Sequence, residues 1–162
     1  MARVYVSIGS NVERERNVRS CLHALKTRFG PLIISSVYQN KAIGFAGDDF
    51  FNLVVGFDTK ADIHSVARCL RDIEAAHDRC REVSRFAPRT LDLDLLLCDE
   101  LVLEEANLRI PRAEIADYAF VLCPLAEVAG SMRHPLLGKT FAELWECFDK
   151  SDAQLQLVDM DL

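Results

Sequence analysis

One segment of the chain alternates apolar and acidic residues in the order Leu-Asp-Leu-Asp-Leu, and this pattern constrains the fold more than any other. Successive side chains of a β-strand point to opposite faces, so Asp92 and Asp94 share one face, with about 6.5–7 Å between their α-carbons. Leu91, Leu93 and Leu95 take the other face and need a core to cover them. The segment therefore predicts a strand with one buried face and a pair of carboxylates on the opposite face.

The chain has 162 residues, enough for a single core, so residues 1–162 are expected to form one domain. The formal net charge of −6 argues against a nucleic-acid partner, because nucleic-acid binders usually carry a basic balance. The six cysteines form no Cys-x-x-Cys pair and fall mostly in apolar stretches, which predicts reduced core thiols in a cytoplasmic protein. No stretch approaches the roughly 20 apolar residues of a membrane span, so we expect no membrane partner.

Hydrophobic periodicity predicts four main strands, with two helices between them. Strands are expected at residues 3–8, 32–38, 50–57 and 91–97, and helices at 14–29 and directly after Asp62. This order is that of the split βαβ, or ferredoxin-like, arrangement, so the predicted fold class is α+β, a sandwich in which helices pack on a mainly antiparallel sheet. Further elements are expected at residues 101–103 and 108–110 (strands) and at 120–128 and 141–148 (helices), before a polar tail, 151–162, that we expect to be partly loose.

Polar residues mark the expected starts of three helices. Asn11 and Asp62 are candidate caps of the first and second helices. Thr140 is the candidate cap of the last helix, and Glu143, three residues later, would complete a capping box.

Six arginines lie on the helix before the acidic strand or between that helix and the strand. They are Arg68, Arg71, Arg79, Arg81, Arg85 and Arg89. A guanidinium group binds phosphate oxygens through two parallel hydrogen bonds, and paired carboxylates suit Mg²⁺, which takes one or two carboxylates together with substrate phosphates. Arginines beside paired carboxylates therefore indicate phosphoryl-group transfer.

Structural explanations of the same residues stay open. The arginines could form surface ion pairs with Glu74, Asp78 and Glu82, and the two aspartates could lie on a solvated edge strand. Glu74 could contact a nucleotide or serve only in an ion pair on its helix. An irregular stretch at residues 39–49 exceeds the usual connection of about 4–6 residues, and it could carry function or be a simple surface excursion.

The sequence from Arg85 to Leu97, Arg-Phe-Ala-Pro-Arg-Thr-Leu-Asp-Leu-Asp-Leu-Leu-Leu, resembles the signature of the 6-hydroxymethyl-7,8-dihydropterin pyrophosphokinase (HPPK) family. The resemblance runs from Ile8-Gly9-Ser10-Asn11 to Pro124-Leu125. It implies a ferredoxin-like α+β fold, ATP as donor and two Mg²⁺ ions. It also implies transfer of the β,γ-pyrophosphoryl group of ATP to the hydroxymethyl group of a reduced pterin, a step of folate biosynthesis that gives AMP and the pterin diphosphate.

The resemblance also implies roles for individual residues. The expected catalytic residues are Arg79, Arg81, Arg89, Asp92 and Asp94, of which the two aspartates are the magnesium ligands. The expected contacts to ATP are Glu74, Arg85 and Arg89, with Arg112 as a hypothetical substitute for a family arginine. The expected contacts to the pterin are Asn40, Ile43, Phe50, Asn52 and Phe120, of which the two phenylalanines would sandwich the ring.

The chain departs from the family pattern around both substrates. The family loop Thr-Pro-Pro-Leu-Gly reads Asn-Lys-Ala-Ile-Gly at residues 40–44, and Phe86 and Ala87 stand where the family usually has Trp and Gly. Arg112 follows Pro111 where the family usually has His, and Tyr118 stands where an arginine often contacts the phosphates.

These departures leave three other readings beside the pyrophosphokinase. They are the same transfer to a different acceptor, a catalytically weak homologue that binds a nucleotide or pterin, and a ferredoxin-like RNA-binding module. The last lacks a basic surface and the stacked aromatics of that class. We expect a monomer that acts on small molecules.

Overall fold

The computed structural model of the chain describes residues 1–40, 49–78, 91–151 and 153–162. The first half contains β1 (Ala2–Ser10), α1 (Arg14–Phe29), β2 (Ile33–Ile34), β3 (Val37–Asn40), β4 (Phe50–Thr59) and α2 (Ile63–Asp78). The second half contains β5 (Asp92–Cys98), β6 (Leu103–Glu105), β7 (Leu108–Ile110), a 3₁₀ turn (Ala113–Ala116), α3 (Ala119–Ala129), α4 (Phe141–Glu146) and β8 (Gln156–Val158).

The main sheet has the strand order β5-β1-β4-β3-β8, and every neighbouring pair is antiparallel. Strand β2 also pairs with β4, so β1 and the β2–β3 stretch run parallel on either side of β4. This is the split βαβ arrangement, and the predicted α+β class is confirmed. Strands β6 and β7 form a separate hairpin.

Helices cover both faces of the sheet. Helices α1 and α2 bury one face, which carries Leu93 and Leu95, and helices α3 and α4 bury part of the other, which carries Leu96 and Leu97. Leu96 and Leu97 can both join the second core because the register between β1 and β5 shifts by one residue near Tyr5. Each fully buried leucine side chain contributes about 1.5–3 kcal/mol, so the two cores hold the acidic strand firmly in place.

The strand expected at 32–38 is divided, and Ser35 and Ser36 separate its two parts. The Ser35 hydroxyl accepts a hydrogen bond of 2.9 Å from the N–H of Val54, in place of a backbone carbonyl. Ser36 donates from its N–H (2.6 Å) and its hydroxyl (3.0 Å) to Glu127 of helix α3. A carboxylate 91 residues away therefore accepts the hydrogen bonds that Ser36 offers where the strand is interrupted. Strand β3 continues to Asn40, into the stretch expected to be irregular.

Two of the three expected helix caps are confirmed. Asp62 accepts from the N–H groups of His64 and Ser65 at 3.1 Å, and Thr140 forms the capping box with Glu143. The cap assigned to Asn11 is wrong, because a different residue, Glu13, precedes α1 with a left-handed φ of 41° and no side-chain cap.

The tail does not follow the expectation of looseness at Gln156–Val158, which form strand β8. This strand pairs with β3, with Val37 opposite Val158, and the sequence pattern did not predict it. Beyond it, the guanidinium of Arg19 on α1 donates to the carbonyl of Asp161. In the described ranges, none of the helices is long and apolar enough to cross a membrane.

Candidate active site

Asp92 and Asp94 lie on one face of the edge strand β5, as the alternation predicts. Asp92 is opposite Gly9 of β1, and Asp94 is opposite Ser7. Leu93 is buried in the core under α1 and α2 on the other face, whereas both aspartates are partly exposed. The strand therefore presents two neighbouring carboxylates, hard oxygen donors of the kind that Mg²⁺ takes together with phosphate oxygens.

Glu74 on α2 brings a third carboxylate to this strand. Its Oε2 atom accepts a hydrogen bond of 2.9 Å from the N–H of Leu93, a group on the outer edge of β5. Burial is the main cause that raises the pKa of Glu74 to about 7; the negative charges of Asp92 and Asp94 add to it, and the Leu93 N–H opposes it. The three carboxylates thus repel each other, and a bound cation would reduce this repulsion.

Among the described residues, Asp92 and Asp94 are the carboxylate pair that this face of β5 offers to a cation. In the part of the chain that the structure describes, no three His, Cys, Asp or Glu side chains are arranged to hold a metal ion together. A pair of carboxylates completed by phosphate oxygens and water is nevertheless the usual environment of a nucleotide-bound Mg²⁺, so the donor set fits that ion.

Arg112 lies beside Asp94. Its backbone N–H donates to the carbonyl of Leu96 at 3.0 Å, which holds the segment after β7 along β5. Its guanidinium stands 3.4 Å from Asp94 and 3.2 Å from Glu114. Both contacts are partly exposed ion pairs of small net energy, about 0–1 kcal/mol, so the guanidinium can exchange them for a phosphate.

Asn52 continues the row of residues that starts at Asp92. It lies on β4 directly opposite Gly9, and Tyr38 of β3 lies opposite Asn52 on its other side. A Cβ atom at Gly9 would stand 3.0 Å from Oδ1 of Asn52, so the glycine leaves the space that the amide needs. Asn52 is buried, and its Nδ2 donates to Oδ1 of Asn40.

The two phenylalanines expected around the pterin lie on different elements. Phe50 begins β4 opposite Asn40, and Phe120 lies in the first turn of α3. The ring of Phe120 stacks on that of Tyr118, with 5.1 Å between the ring centres. Tyr118 thus forms an aromatic wall beside Phe120.

An open cleft of about 410 Å³ joins several of these residues. Its lining includes Asn40, Asp117, Tyr118, Phe120, Asp149 and Gln154. Asn40 and Phe120, two of the expected pterin contacts, therefore face one space. The tail residues of this cleft were not found by sequence reasoning, because nothing in a polar C-terminal segment indicates which strand it will pair with.

A second cleft, of about 310 Å³, lies between α2 and the β6–β7 hairpin. His64, Arg68 and Arg71 line it from the helix, and Glu105 and Asn107 line it from the hairpin. Arg71 stands three residues before Glu74 on α2, so the two residues are neighbours on the helix surface.

Five of the expected site residues lie outside the described residues. They are Ile43, Arg79, Arg81, Arg85 and Arg89. Of the remaining expected residues, Asp92, Asp94, Glu74 and Arg112 come together at β5, and Asn52 lies two strands away on the same face.

Sequence comparison gives one family for this chain. The family model described as 7,8-dihydro-6-hydroxymethylpterin-pyrophosphokinase (HPPK) matches residues 5–130. The chain is 36% identical over 139 residues to a 2-amino-4-hydroxy-6-hydroxymethyldihydropteridine pyrophosphokinase of Pseudomonas aeruginosa, covering 82% of this chain and 84% of that protein. It is 32% identical to the Bacillus subtilis protein of the same name, covering 76% of each.

The fold also resembles solved structures. The wild-type HPPK-DHPS of Plasmodium falciparum with SDX-DHP matches with a TM-score of 0.69 and 15% identity over 90% of this chain. This chain spans 43% of that longer protein, so the likeness supports the fold of this domain alone.

Proposed function

The chain belongs to the HPPK family, and we propose that it transfers the β,γ-pyrophosphoryl group of ATP to the hydroxymethyl group of 6-hydroxymethyl-7,8-dihydropterin. The products are AMP and the pterin diphosphate, and the reaction belongs to folate biosynthesis. In enzyme terms this is a 2-amino-4-hydroxy-6-hydroxymethyldihydropteridine diphosphokinase, the activity named for its relatives from two bacteria.

The row Asp92–Gly9–Asn52 across three strands is the observation that carries this proposal. Neighbouring strands lie about 4.8 Å apart, so the α-carbons of Asp92 and Asn52 are about 10 Å apart. Gly9 between them has no side chain, and the amide of Asn52 takes up the space that a Cβ atom at Gly9 would need. The acidic end of the row suits phosphate-bound cations, and the amide end suits the edge of a heterocycle, so the two reacting groups would meet between Asp92 and Asn52.

In the reaction, the hydroxyl oxygen of the acceptor attacks the β-phosphorus of ATP in line. The new O–P bond forms as the bond between the β-phosphorus and the α,β-bridging oxygen breaks, so AMP leaves with that electron pair, and the proton of the hydroxyl passes to solvent. We propose two Mg²⁺ ions, which when bound neutralise charge on the triphosphate. Asp92 and Asp94 would hold them, and most of the rate would come from positioning and electrostatics.

The nucleotide would lie on the α2 side of the acidic strand. Glu74 of α2 is hydrogen-bonded to that strand, and Arg68 and Arg71 line a cleft along the same helix. The guanidinium of Arg112 stands within reach of phosphates held at Asp94. From the family resemblance we also propose Arg79, Arg81, Arg85 and Arg89, outside the described residues, as contacts to the phosphates.

The acceptor would lie on the β3–β4 side. Asn52 would bind its polar edge, Phe50 and Phe120 would stack on its ring, and Asn40 would line the same space. Ile43 is proposed as a further contact from the resemblance alone.

We propose that the protein acts as a cytoplasmic monomer on small molecules, without a nucleic-acid or membrane partner. The net charge of −6 supports the absence of nucleic acid. The cysteines in the described residues are unpaired, which supports a reducing compartment.

The test is AMP formation from ATP and Mg²⁺, with and without 6-hydroxymethyl-7,8-dihydropterin, in wild type and in an Asp92→Ala/Asp94→Ala double variant. AMP release that depends on the pterin and is lost in the double variant would establish the activity. A folded wild type that binds ATP but releases no AMP with this pterin would contradict it.

A second candidate is the same transfer to a different acceptor. The cleft beside Phe120 carries two carboxylates, Asp117 and Asp149, and it is walled by tail residues. A substituted acceptor with additional N–H donors would suit that lining. AMP release with such a compound, but not with 6-hydroxymethyl-7,8-dihydropterin, would favour this candidate.

A further inference from the structure

The side-chain amide of Asn11, directly after β1, is buried and has no hydrogen-bond partner among the described residues. The residue is 1% exposed, and within residues 1–40, 49–78, 91–151 and 153–162 neither its Nδ2 nor its Oδ1 has a hydrogen-bond partner. These two are the only buried side-chain N or O atoms so found in those ranges. Buried amides nearly always have hydrogen-bond partners, because an amide that loses its hydrogen bonds to water on folding and gains no others destabilises the protein. The group therefore lacks a partner among the described residues, and another molecule can supply one.

The backbone around this amide is well fixed. The carbonyl of Val12 accepts hydrogen bonds from the Ser10 hydroxyl at 3.2 Å and from Nδ2 of Asn17 at 2.6 Å. Asn17 is also a buried asparagine, and its Nδ2 has a partner through this contact. The unpaired state of Asn11 is thus not a property of a loose turn.

Asn11 is the residue that follows β1, and this position puts it towards the acceptor end of the proposed site. Gly9 pairs with Asn52, and Ser10 pairs with Phe51, so Asn11 comes level with Phe50 at the start of β4. Side chains alternate along a strand, and alternation continued by one residue gives Asn11 the same face as Gly9. That face carries Asp92 and Asn52.

The hydrogen-bonding groups of the Asn11 amide indicate which of the two substrates can pair with it. A carboxamide offers two N–H donors and a carbonyl acceptor, so it is satisfied by an edge that presents both a donor and an acceptor. Phosphate oxygens only accept, and they would leave Oδ1 of Asn11 unpaired. A pyrimidine-type ring edge, with N–H and C=O or ring nitrogen side by side, satisfies both atoms. The other amide on this face, Asn52, already donates to Asn40.

We propose that Asn11 is a further acceptor-binding residue, whose amide pairs with the polar edge of the heterocycle. The inference rests on the proposed function and adds to it a contact outside the residues that the family resemblance assigns. In the complex the two orphaned atoms gain partners, so this asparagine contributes to acceptor affinity and little to the stability of the free protein.

The experiment compares Asn11→Leu with Asn17→Leu, a matched change at a buried asparagine that is already paired. The dissociation constant of 6-hydroxymethyl-7,8-dihydropterin is measured by calorimetry with Mg²⁺ and a non-hydrolysable ATP analogue, and the melting temperature is measured without ligands. For Asn11→Leu we expect an acceptor dissociation constant raised about tenfold or more, unchanged affinity for the ATP analogue and an unchanged or raised melting temperature. For Asn17→Leu we expect a lowered melting temperature and unchanged acceptor affinity.

An acceptor dissociation constant of Asn11→Leu within twofold of wild type would overturn the inference and leave the proposed function intact. Failure of the wild type itself to bind the pterin would instead remove the proposed function, and this inference with it. If Asn11→Leu does not fold, the test is made on ¹⁵N-labelled wild type, by recording the side-chain amide resonances of Asn11 with and without the pterin. A shift on adding the pterin supports the contact, and unchanged resonances contradict it.

Discussion

The Oε2 atom of Glu74 accepts a 2.9 Å hydrogen bond from the backbone N–H of Leu93. This contact ties helix α2 to the outer edge of β5 and holds a third carboxylate beside Asp92 and Asp94. Three carboxylates in a partly buried site repel each other, and the strain is relieved by a proton or by a cation.

The first prediction concerns stability and pH in the absence of metal. The pKa of Glu74 is raised from 4.5 to about 7, so between these values the native state binds more protons than the unfolded state. The stabilising contribution is therefore complete below pH 4.5 and is lost as the pH rises through about 7. Because the group is only half-buried, we expect a change of about 1 kcal/mol across this window.

Urea unfolding in EDTA from pH 4.5 to 8 measures this effect in wild type and Glu74→Gln. Glutamine keeps an acceptor for the Leu93 N–H but does not titrate, so its free energy of unfolding should show a smaller fall with pH. Glu146→Gln, at an exposed carboxylate in the last turn of α4, should retain the wild-type slope. Equal slopes in all three proteins would show that Glu74 titrates normally.

The second prediction concerns the aspartates. Asp92→Asn and Asp94→Asn each remove one anionic ligand, so turnover should fall by about 10³-fold or more. Mn²⁺ binding with a non-hydrolysable ATP analogue, followed by electron paramagnetic resonance, should weaken in parallel. The melting temperature without metal should not fall, because each change reduces like-charge repulsion.

Asp99→Asn is a matched control, since Asp99 follows the same strand and accepts from the N–H of Arg3 at 2.9 Å. Asparagine keeps an acceptor and tolerates the positive φ of 46° at this position. Near-normal turnover of Asp92→Asn would remove the metal assignment.

The third prediction concerns Arg112. Its guanidinium contacts Asp94 at 3.4 Å in the free protein, and in the nucleotide complex we expect it to contact phosphate instead. Arg112→Ala should therefore raise the dissociation constant of the ATP analogue about tenfold, or about 1.4 kcal/mol. Arg109→Ala, three positions earlier and 3.9 Å from Glu104, should leave ATP affinity unchanged. Equal affinities of the two variants would exclude a phosphate contact by Arg112.

The fourth prediction concerns the aromatic wall. Phe120→Leu keeps an apolar side chain but removes the flat ring, so the KM for the acceptor should rise about tenfold while the KM for ATP stays constant. Tyr118→Leu tests the stacked neighbour, whose ring centre lies 5.1 Å away. A smaller effect is expected there if Tyr118 acts by holding Phe120. An unchanged acceptor KM in Phe120→Leu would show that the ring of the acceptor does not stack on Phe120.

The fifth prediction concerns Gly9. An alanine Cβ at this position would stand 3.0 Å from Oδ1 of Asn52, so Gly9→Ala should displace the amide and raise the acceptor KM with little change in ATP affinity. Gly138→Ala is the control, because Gly138 has φ of 72° and open space around it. That variant should lose about 1 kcal/mol of stability from backbone strain and keep the wild-type acceptor KM. The reverse pattern would show that Gly9 has only a structural role.

Patterns between near neighbours in the sequence predicted much of the fold and the acidic half of the site. The two-residue period of β5 placed Asp92 and Asp94 on one face, and polar residues at helix starts identified the caps at Asp62 and Thr140. Family resemblance, and not periodicity, pointed to Asn52 and Phe120. Local patterns and family resemblance can both be read from the order of residues in the chain, without knowledge of the packing.

Only the tertiary structure decided the contacts between distant segments. Examples are the carboxylate of Glu127 at Ser36, 91 residues away, and the pairing of β8 with β3. The raised pKa of Glu74 also depends on burial by other elements. The same holds for the amide of Asn11, which has no hydrogen-bond partner within the described part of the chain and which sequence reasoning took for a helix cap. The sequence by itself determined local periodicity and capping, because these act within a few residues; burial and long-range pairing depend on how the whole chain packs.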